Sequence, residues 1–172
     1  MIIKVVHYDS NWSNVYLKEE QKIKKILQDV LVNSFHIGST SVPHLQAKPI
    51  IDILLVVDHI ENLDAFSEQF EKLGYEVMGK FGIPGRRYFR KGGDNRTHQI
   101  HAFQFDNIGE IERHLAFRDY LREHPEVCKE YGDLKSQLAK EYPNNIDRYG
   151  DGKDTFVKNV EKQALKWRWT IR

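Results

Sequence analysis

The stretch His36-Ile37-Gly38-Ser39-Thr40-Ser41-Val42-Pro43, followed by Lys48-Pro49-Ile50-Ile51-Asp52-Ile53-Leu54-Leu55-Val56-Val57, decides the fold of this chain. A short segment runs into a Gly-Ser turn, and after a loop comes an apolar run that carries one carboxylate. Residues 50–57 are all apolar except Asp52, which is typical of a buried central strand. A carboxylate inside such a strand must be paired, hydrogen-bonded or metal-bound. The pattern therefore predicts two strands joined by a turn, with Asp52 on the second.

The Gly-Ser turn and Asp52 together suit phosphate chemistry. The turn at Gly38 exposes backbone N–H groups, and the hydroxyls of Ser39 and Thr40 can also face a phosphate. A carboxylate on the neighbouring strand suits the Mg²⁺ or Mn²⁺ that accompanies such a phosphate. The same residues also fit an ordinary strand-to-helix turn with capping hydroxyls and a structural carboxylate.

These motifs resemble the GrpB family, within the nucleotidyltransferase-fold superfamily. The resemblance runs from about Val5 to Trp167 and also includes the segment from Arg96 to His101. It implies a nucleotidyltransferase-like mixed β-sheet flanked by helices, with a C-terminal helical segment. The family is classed by fold, so the resemblance implies an architecture and a site rather than a reaction. The looser matches lie in the tail, at Tyr131, Leu134, Lys135, Tyr149, Lys153 and Phe156.

The length, charge and cysteine content of the chain limit the classes of protein to which it can belong. A chain of 172 residues is long enough for one domain with a sizeable core. Its 26 basic and 25 acidic residues give no strong nucleic-acid or membrane-surface signal. The one cysteine, Cys128, cannot form an intramolecular disulfide, which fits a reducing compartment. With no signal-peptide pattern and no apolar run near the roughly 20 residues that span a bilayer, we expect a cytoplasmic protein of unassigned oligomeric state.

Hydrophobic periodicity predicts a mixed front half and a helical back half, hence an α+β fold. We expect a single domain over residues 1–172, with a sheet core over about 1–106 and a helical tail over about 107–172. A loop is expected over 144–152, where two glycines fall. The predicted helices cover 12–31, 63–73, 108–123, 126–142 and 154–167, and the predicted strands cover 32–38, 50–57, 75–80, 86–91 and 97–105.

The position two residues after Asp52 departs from the nucleotidyltransferase pattern, which places a second acid there. This chain has Leu54 instead. Two-metal phosphoryl transfer needs carboxylates that hold two ions about 3.5–4 Å apart, and a single carboxylate does not provide that clamp. Two hypotheses remain open: a metal-dependent nucleotidyltransferase-like protein, and a non-catalytic module that binds a nucleotide or coenzyme-like small molecule.

His98 and His101 could act with Asp52 in catalysis or as ligands of a transition metal. On a regular strand, residues three apart face opposite sides, so only a bulge would bring both imidazoles to Asp52. We favour His101 as the residue that faces it. A neutral imidazole there can bind a transition metal or act as a general base, which adds a His/Asp metal-dependent hydrolase to the alternatives. A strand histidine bonded to a neighbour fits equally well.

Basic side chains are further candidates for binding phosphate. By strand alternation Arg86 and Arg87 lie on opposite faces, where guanidinium groups could hold phosphates or form a solvated sheet edge. Lys48 could reach a phosphate or neutralise Asp52. In the tail, the candidates are Lys135, Tyr149 and Lys153. They either contact the ligand or are surface lysines and a packing tyrosine of the helices. The full candidate set for the phosphate or nucleotide is Gly38, Ser39, Thr40, Lys48, Arg86, Arg87, Lys135, Tyr149 and Lys153.

Overall fold

A computed structural model of the chain describes residues 2–170 and contains one five-stranded sheet. The strands are β1 (Leu31–Ile37), β2 (Ile51–Val57), β3 (Tyr75–Val77), β4 (Arg86–Lys91) and β5 (His98–Gln104). Their order across the sheet is β1-β2-β5-β4-β3. The β2–β5 pair is parallel and the other pairs are antiparallel. The expected fold class, α+β with a mixed sheet flanked by helices and a helical C-terminal segment, is confirmed.

Helices cover both faces of the sheet, because β2 is apolar on both sides. Ile53 and Leu55 belong to a core cluster with the N-terminal helix, whereas Leu54 and Val56 pack with Leu115 on the opposite face. Asp52 belongs to this second face by alternation. None of the helices between residues 2 and 170 combines the length and apolarity that crossing a bilayer requires. The helices are α1 (Trp12–Leu27), α2 (Ser67–Lys72), α3 (Ile108–Glu123), α4 (Pro125–Glu141) and α5 (Ile146–Trp169).

Most predicted elements are present. The helix expected over 12–31 ends at Leu27, because a 3₁₀ turn and then β1 follow it. Two further elements in the front half differ from their predicted ranges. The helix expected over 63–73 is divided into a 3₁₀ segment, Ile60–Phe66, and the short helix α2. The strand expected over 75–80 ends at Val77, because the chain turns before β4 begins. Neither change moves Asp52 or the Gly-Ser turn.

The prediction of a loop over 144–152 was wrong, because α5 already begins at Ile146. The side chain of Asn145 caps this helix by accepting a hydrogen bond from the Arg148 N–H at 3.1 Å. Gly152 lies inside the helix, and a Cβ there would come within 2.4 Å of Leu138 on α4. Glycine at this position permits close helix packing rather than ending the helix.

The helical part of the chain is tied directly to the Gly-Ser turn. From α3, Arg118 donates to the backbone oxygen of His36 at 3.1 Å, and Arg122 donates to that of Ser41 at 2.8 Å. Leu121, Tyr131 and Val160 form an apolar cluster with the residues that follow the turn. The turn is thus held between the sheet and α3–α5.

Candidate functional site

Asp52 lies near the start of β2, where the Gly38 turn and β5 meet. Its Oδ1 accepts a hydrogen bond at 2.9 Å from the Gln99 amide, in the orientation that also satisfies the other Gln99 partners. The same oxygen lies 3.2 Å from Nε2 of His101. Oδ2 has no hydrogen-bond partner among the described residues. Asp52 is therefore held through one oxygen and open through the other.

Gly38 makes this placement of Asp52 possible. Its φ of +73° lies in the left-handed region, and a Cβ on it would lie 2.5 Å from Oδ2 of Asp52. A side chain would be strained by the backbone angle and would also collide with the carboxylate. The glycine lets the turn approach the acid directly.

His101 orients the carboxylate from the neighbouring strand. The parallel register pairs Asp52 with Gln99 and Leu54 with His101, so all four side chains share a face. Arg86 places a guanidinium nitrogen 3.4 Å from Nδ1 of His101. Because guanidinium only donates, Nδ1 accepts this bond and the Nε2–H of His101 donates to Asp52. The arrangement is a hydrogen-bonded series from Arg86 through His101 to Asp52.

His98 lies away from Asp52, on the opposite face of β5. Its Nε2 is 4.0 Å from the buried carboxylate of Glu19. The candidate set of Asp52, His98 and His101, which needed a bulge in β5, is not brought together, because β5 pairs in regular register from His98 to Gln104 and strand alternation separates the two imidazoles. Within residues 2–170, no group of three or more His, Cys, Asp or Glu side chains has a metal-binding arrangement.

The two candidate arginines also separate. Arg87 lies on the face opposite Asp52 and pairs with Asp64 at 2.8 Å, so it is not part of the assembled site. Arg86 lies on the Asp52 face but donates to the backbone oxygens of Lys80 and Phe81 at 3.1 and 2.7 Å. These bonds fix Arg86 behind His101 rather than leaving it open to a phosphate.

Three lysines converge on the other side of Asp52. Lys135, from α4, is only 2% exposed and donates to Ser39 Oγ at 2.7 Å. Lys48, which precedes β2, and Lys153, from α5, lie 5.0 and 5.3 Å from the ring centroid of Tyr149. Residues distant in sequence thus form one group, which we call the lysine cluster: Lys48, Lys135 and Lys153.

The charged forms of these lysines are disfavoured in the fold. Burial and, to a smaller extent, repulsion from Lys153 outweigh the attraction of Asp52 and lower the pKa of Lys48 to about 8. Burial, followed by repulsion from Lys153, also holds the pKa of Lys135 well below its usual range. Burial lowers the pKa of Lys153 against the attraction of Asp52. No carboxylate of residues 2–170 forms a salt bridge with the cluster.

Two cavities border Asp52, and both include Gln99 in their walls. The cavity on the lysine side, of about 110 Å³, is lined by Ser39, Lys48, Ile50, Asp52, Gln99 and Lys153; we call it the lysine cavity. The cavity on the histidine side has a volume of about 200 Å³. The excess positive charge of the lysine cavity, where Lys48 and Lys153 face Asp52, suits an anion.

Thr40 has a different role from Ser39. Its hydroxyl lies 2.9 Å from His36 Nε2 and donates to the backbone oxygen of Ile50 at 3.3 Å. Thr40 is almost fully buried, and burial lowers the pKa of its partner His36 to about 4. Thr40 therefore secures the turn, and the Ser39 side chain borders the cavity.

Comparison with known proteins agrees with this arrangement over most of the chain. The family model described as GrpB protein matches residues 2–163. The chain belongs to the GrpB family.

Individual proteins also match this GrpB-family chain. UPF0157 protein YqkA of Bacillus subtilis (strain 168) is 44% identical over 96% of the chain and 48% of its own length, so the chain spans about half of that relative. The crystal structure of GrpB from Enterococcus faecalis has a TM-score of 0.95 and 51% identity, covering 97% of this chain and 100% of that one. The Cid1 poly(U) polymerase has a TM-score of 0.49 and 14% identity over 76% of this chain and 45% of its own, a likeness too distant to argue from.

The GrpB-family sequence also holds site residues that pattern reasoning missed. Gln99 was detectable, because it shares a strand face with His101 and Asp52. The remaining ones, Arg113, His114 and Glu161, line the cavity on the histidine side. They lie on α3 and α5, and which side of a helix meets a cavity depends on tertiary packing that the local sequence does not encode.

Proposed function

We propose that the protein binds the phosphate groups of a nucleotide or coenzyme-like small molecule in the lysine cavity beside Asp52. The observation that carries this proposal is the placement of three lysines around one carboxylate, with Lys135 buried and Lys48 and Lys153 half-buried. Ammonium groups removed from water cost free energy unless they are paired. A phosphate would supply the missing negative charge, and perturbed pKa values of this kind concentrate at functional sites.

For the chemistry we propose nucleotidyl or phosphoryl transfer, with Asp52 holding one Mg²⁺ or Mn²⁺. Gln99 and His101 fix Oδ1, which leaves Oδ2 as a hard oxygen ligand of the kind these ions prefer. The bound ion would supply Lewis-acid stabilisation of phosphate charge. The lysine cluster would neutralise charge on the transferred group, since such transfer depends on positioning and electrostatics.

A second candidate is binding without transfer, and Leu54 favours it. Leu54 occupies the position of a second acid and is fully buried with Val56, Phe103 and Leu115. No other carboxylate takes its place on this strand. The hydrolase alternative needs a third metal ligand, and His98 does not reach Asp52, so it is not part of our proposal.

Thermal unfolding with and without ligands tests the proposal. The ligands are ATP, UTP, coenzyme A and dephospho-coenzyme A, each with and without Mg²⁺ or Mn²⁺. A ligand at about 100 times its dissociation constant adds about 2.7 kcal/mol to the free energy of unfolding. We expect a raised melting temperature in the wild type, loss of that shift in Lys153→Met, and no change in Lys72→Met, an exposed lysine on α2.

The Asp52→Asn variant separates the two candidates. A metal-dependent shift that disappears in this variant, together with product formation by the wild type, supports transfer. A metal-independent shift without product supports binding alone. The absence of any shift in the wild type with all four ligands would contradict the phosphate-binding proposal itself.

A further inference from the structure

The cavity on the histidine side of Asp52 differs from the lysine cavity in its aromatic lining and in its charge. We call it the ring cavity, because its wall includes the rings of His101, His114 and Phe117. It shares Asp52 and Gln99 with the lysine cavity, so ligands in the two cavities would meet at the same carboxylate. Its volume of about 200 Å³ is sufficient for one small aromatic ring.

The rings make much of the cavity wall aromatic. The His101 and His114 ring centroids are 5.4 Å apart. Nδ1 of His114 lies 2.9 Å from the Glu110 backbone oxygen and therefore donates to it. Burial lowers the pKa of His114 to about 4, so this imidazole is neutral at pH 7. Walls of this kind favour contact with a planar ring.

The charges at the ring cavity oppose those at the lysine cavity. Arg113 donates to Glu161 and to Glu110, each at 2.8 Å, so two carboxylates face its one positive charge. Asp52 adds a third carboxylate, and Arg86 behind His101 adds a second guanidinium. The carboxylates around the ring cavity therefore outnumber the guanidinium groups, whereas in the lysine cavity cations are in excess.

We propose that the ring cavity is a second subsite, which binds a planar ring carrying an amine or hydroxyl and holds that group against Asp52. The inference rests on the proposed function, because it assigns the molecule that the phosphate ligand meets. The surplus of carboxylates selects a cationic or neutral molecule and rejects an anion. Both subsites can be filled together, because only Asp52 and Gln99 are common to their walls.

Three probes of nearly equal size and different charge test the selectivity: benzylamine, benzyl alcohol and benzoate. Each is titrated by NMR into the full chain, with and without saturating inorganic pyrophosphate. Benzylamine binds most tightly, benzyl alcohol binds more weakly, and benzoate binds at least about tenfold more weakly than benzylamine, as expected for a charge reversal beside partly buried carboxylates. Pyrophosphate leaves benzylamine binding in place.

Two variants locate the binding and one serves as a matched control. Glu161→Gln weakens benzylamine several-fold and leaves benzyl alcohol unchanged, because it removes a charge but keeps the shape of the side chain. His114→Trp places a larger ring in the cavity wall, reduces the space for a ligand and weakens both probes. Glu130→Gln removes a carboxylate from the exposed surface of α4 and changes neither. Thermal unfolding of each variant verifies that it folds.

The outcomes separate this inference from the proposed function. Benzoate binding as tight as that of benzylamine, or benzylamine binding that survives both site variants, would overturn the second subsite. Pyrophosphate binding that is lost in Lys153→Met would still support the phosphate site in that case. Benzylamine binding without pyrophosphate binding would overturn the proposed function and, with it, the pairing of two ligands.

Discussion

Two buried polar clusters lie on opposite faces of the same sheet, and they differ in how completely their charges are paired. On the α1 face, Glu19 is 3% exposed and accepts hydrogen bonds from Tyr75 at 2.6 Å and Lys91 at 2.9 Å. Burial raises the pKa of Glu19, but the bonds from Tyr75 and Lys91 outweigh it and the net pKa is lowered. This cluster is complete within the protein.

The lysine cluster beside Asp52 has the opposite balance. One carboxylate, Asp52, faces Lys48, Lys135 and Lys153, and burial lowers the pKa of all three lysines. Removing one partner from a cluster whose charges are matched leaves a buried charge unpaired, whereas a cluster with surplus charge gains from a ligand of opposite sign. The comparison supports a structural role for the Glu19 cluster and the proposed ligand-binding role for the lysine cluster.

Removal of Glu19 gives the largest expected effect. We expect Glu19→Ala to lower the free energy of unfolding by about 3 kcal/mol, because it leaves Lys91 and Tyr75 without their buried acceptor. Urea denaturation at pH 7 measures the loss. Glu71→Ala, an exposed acid on α2, is the control. A loss no larger than that of the control would contradict the structural assignment of the Glu19 cluster.

Removal of a cluster lysine acts in the opposite direction. In the ligand-free protein we expect Lys48→Met to raise the free energy of unfolding at pH 7 by about 2 kcal/mol, because a buried, repelled charge is removed. The same variant binds pyrophosphate at least about tenfold more weakly. Denaturation and calorimetric titration measure the two changes. Equal or lower stability together with unchanged binding would refute the surplus-charge interpretation.

The pH dependence of stability sharpens the comparison further. The folded state releases the Lys48 proton at a pKa of about 8, below the ordinary value of 10.5. The unfolded chain therefore binds more protons between these values, and the wild-type free energy of unfolding rises with pH across that interval. The advantage of Lys48→Met should shrink from about 2 kcal/mol at pH 7 towards zero near pH 10.5. An advantage that stays constant with pH would exclude Lys48 as its source.

Substitution of Arg87 should have the smallest effect on stability and on pyrophosphate binding. Because it pairs with the exposed Asp64 on the face away from Asp52, we expect Arg87→Gln to change the free energy of unfolding by less than about 1 kcal/mol. Pyrophosphate affinity, measured by calorimetric titration, should match the wild type. A loss of affinity comparable to that of Lys48→Met would show that Arg87 contributes to pyrophosphate binding.

Strand periodicity made much of the sheet predictable, and helix packing explains what was missed. The alternation of β5 places His101 with Asp52 and separates His98, as two-residue periodicity requires. The boundaries of β4 and α3 also match the predicted ranges. These features depend on local patterns that strongly constrain the backbone.

The lysine cavity was harder to predict because it depends on long-range contacts. Glycines near residue 150 indicated a loop, but Gly152 serves the contact with Leu138 and α5 continues through it. The meeting of Lys48 and Lys153 at the Tyr149 ring follows from where that helix docks. The roles of these residues in ligand binding stay predictions until the experiments above are made.

The close contact of Gly152 with Leu138 also has a consequence for the order of events during synthesis. Lys153 belongs to α5, which leaves the ribosome after all five strands have been made. The growing chain can pair Glu19 with Lys91 early, but the lysine cavity closes only when α5 docks on α4. A nascent chain that lacks α5 therefore lacks the wall of the lysine cavity that Lys153 supplies, and under the proposed function it would capture ligand only after the last described helix has been translated.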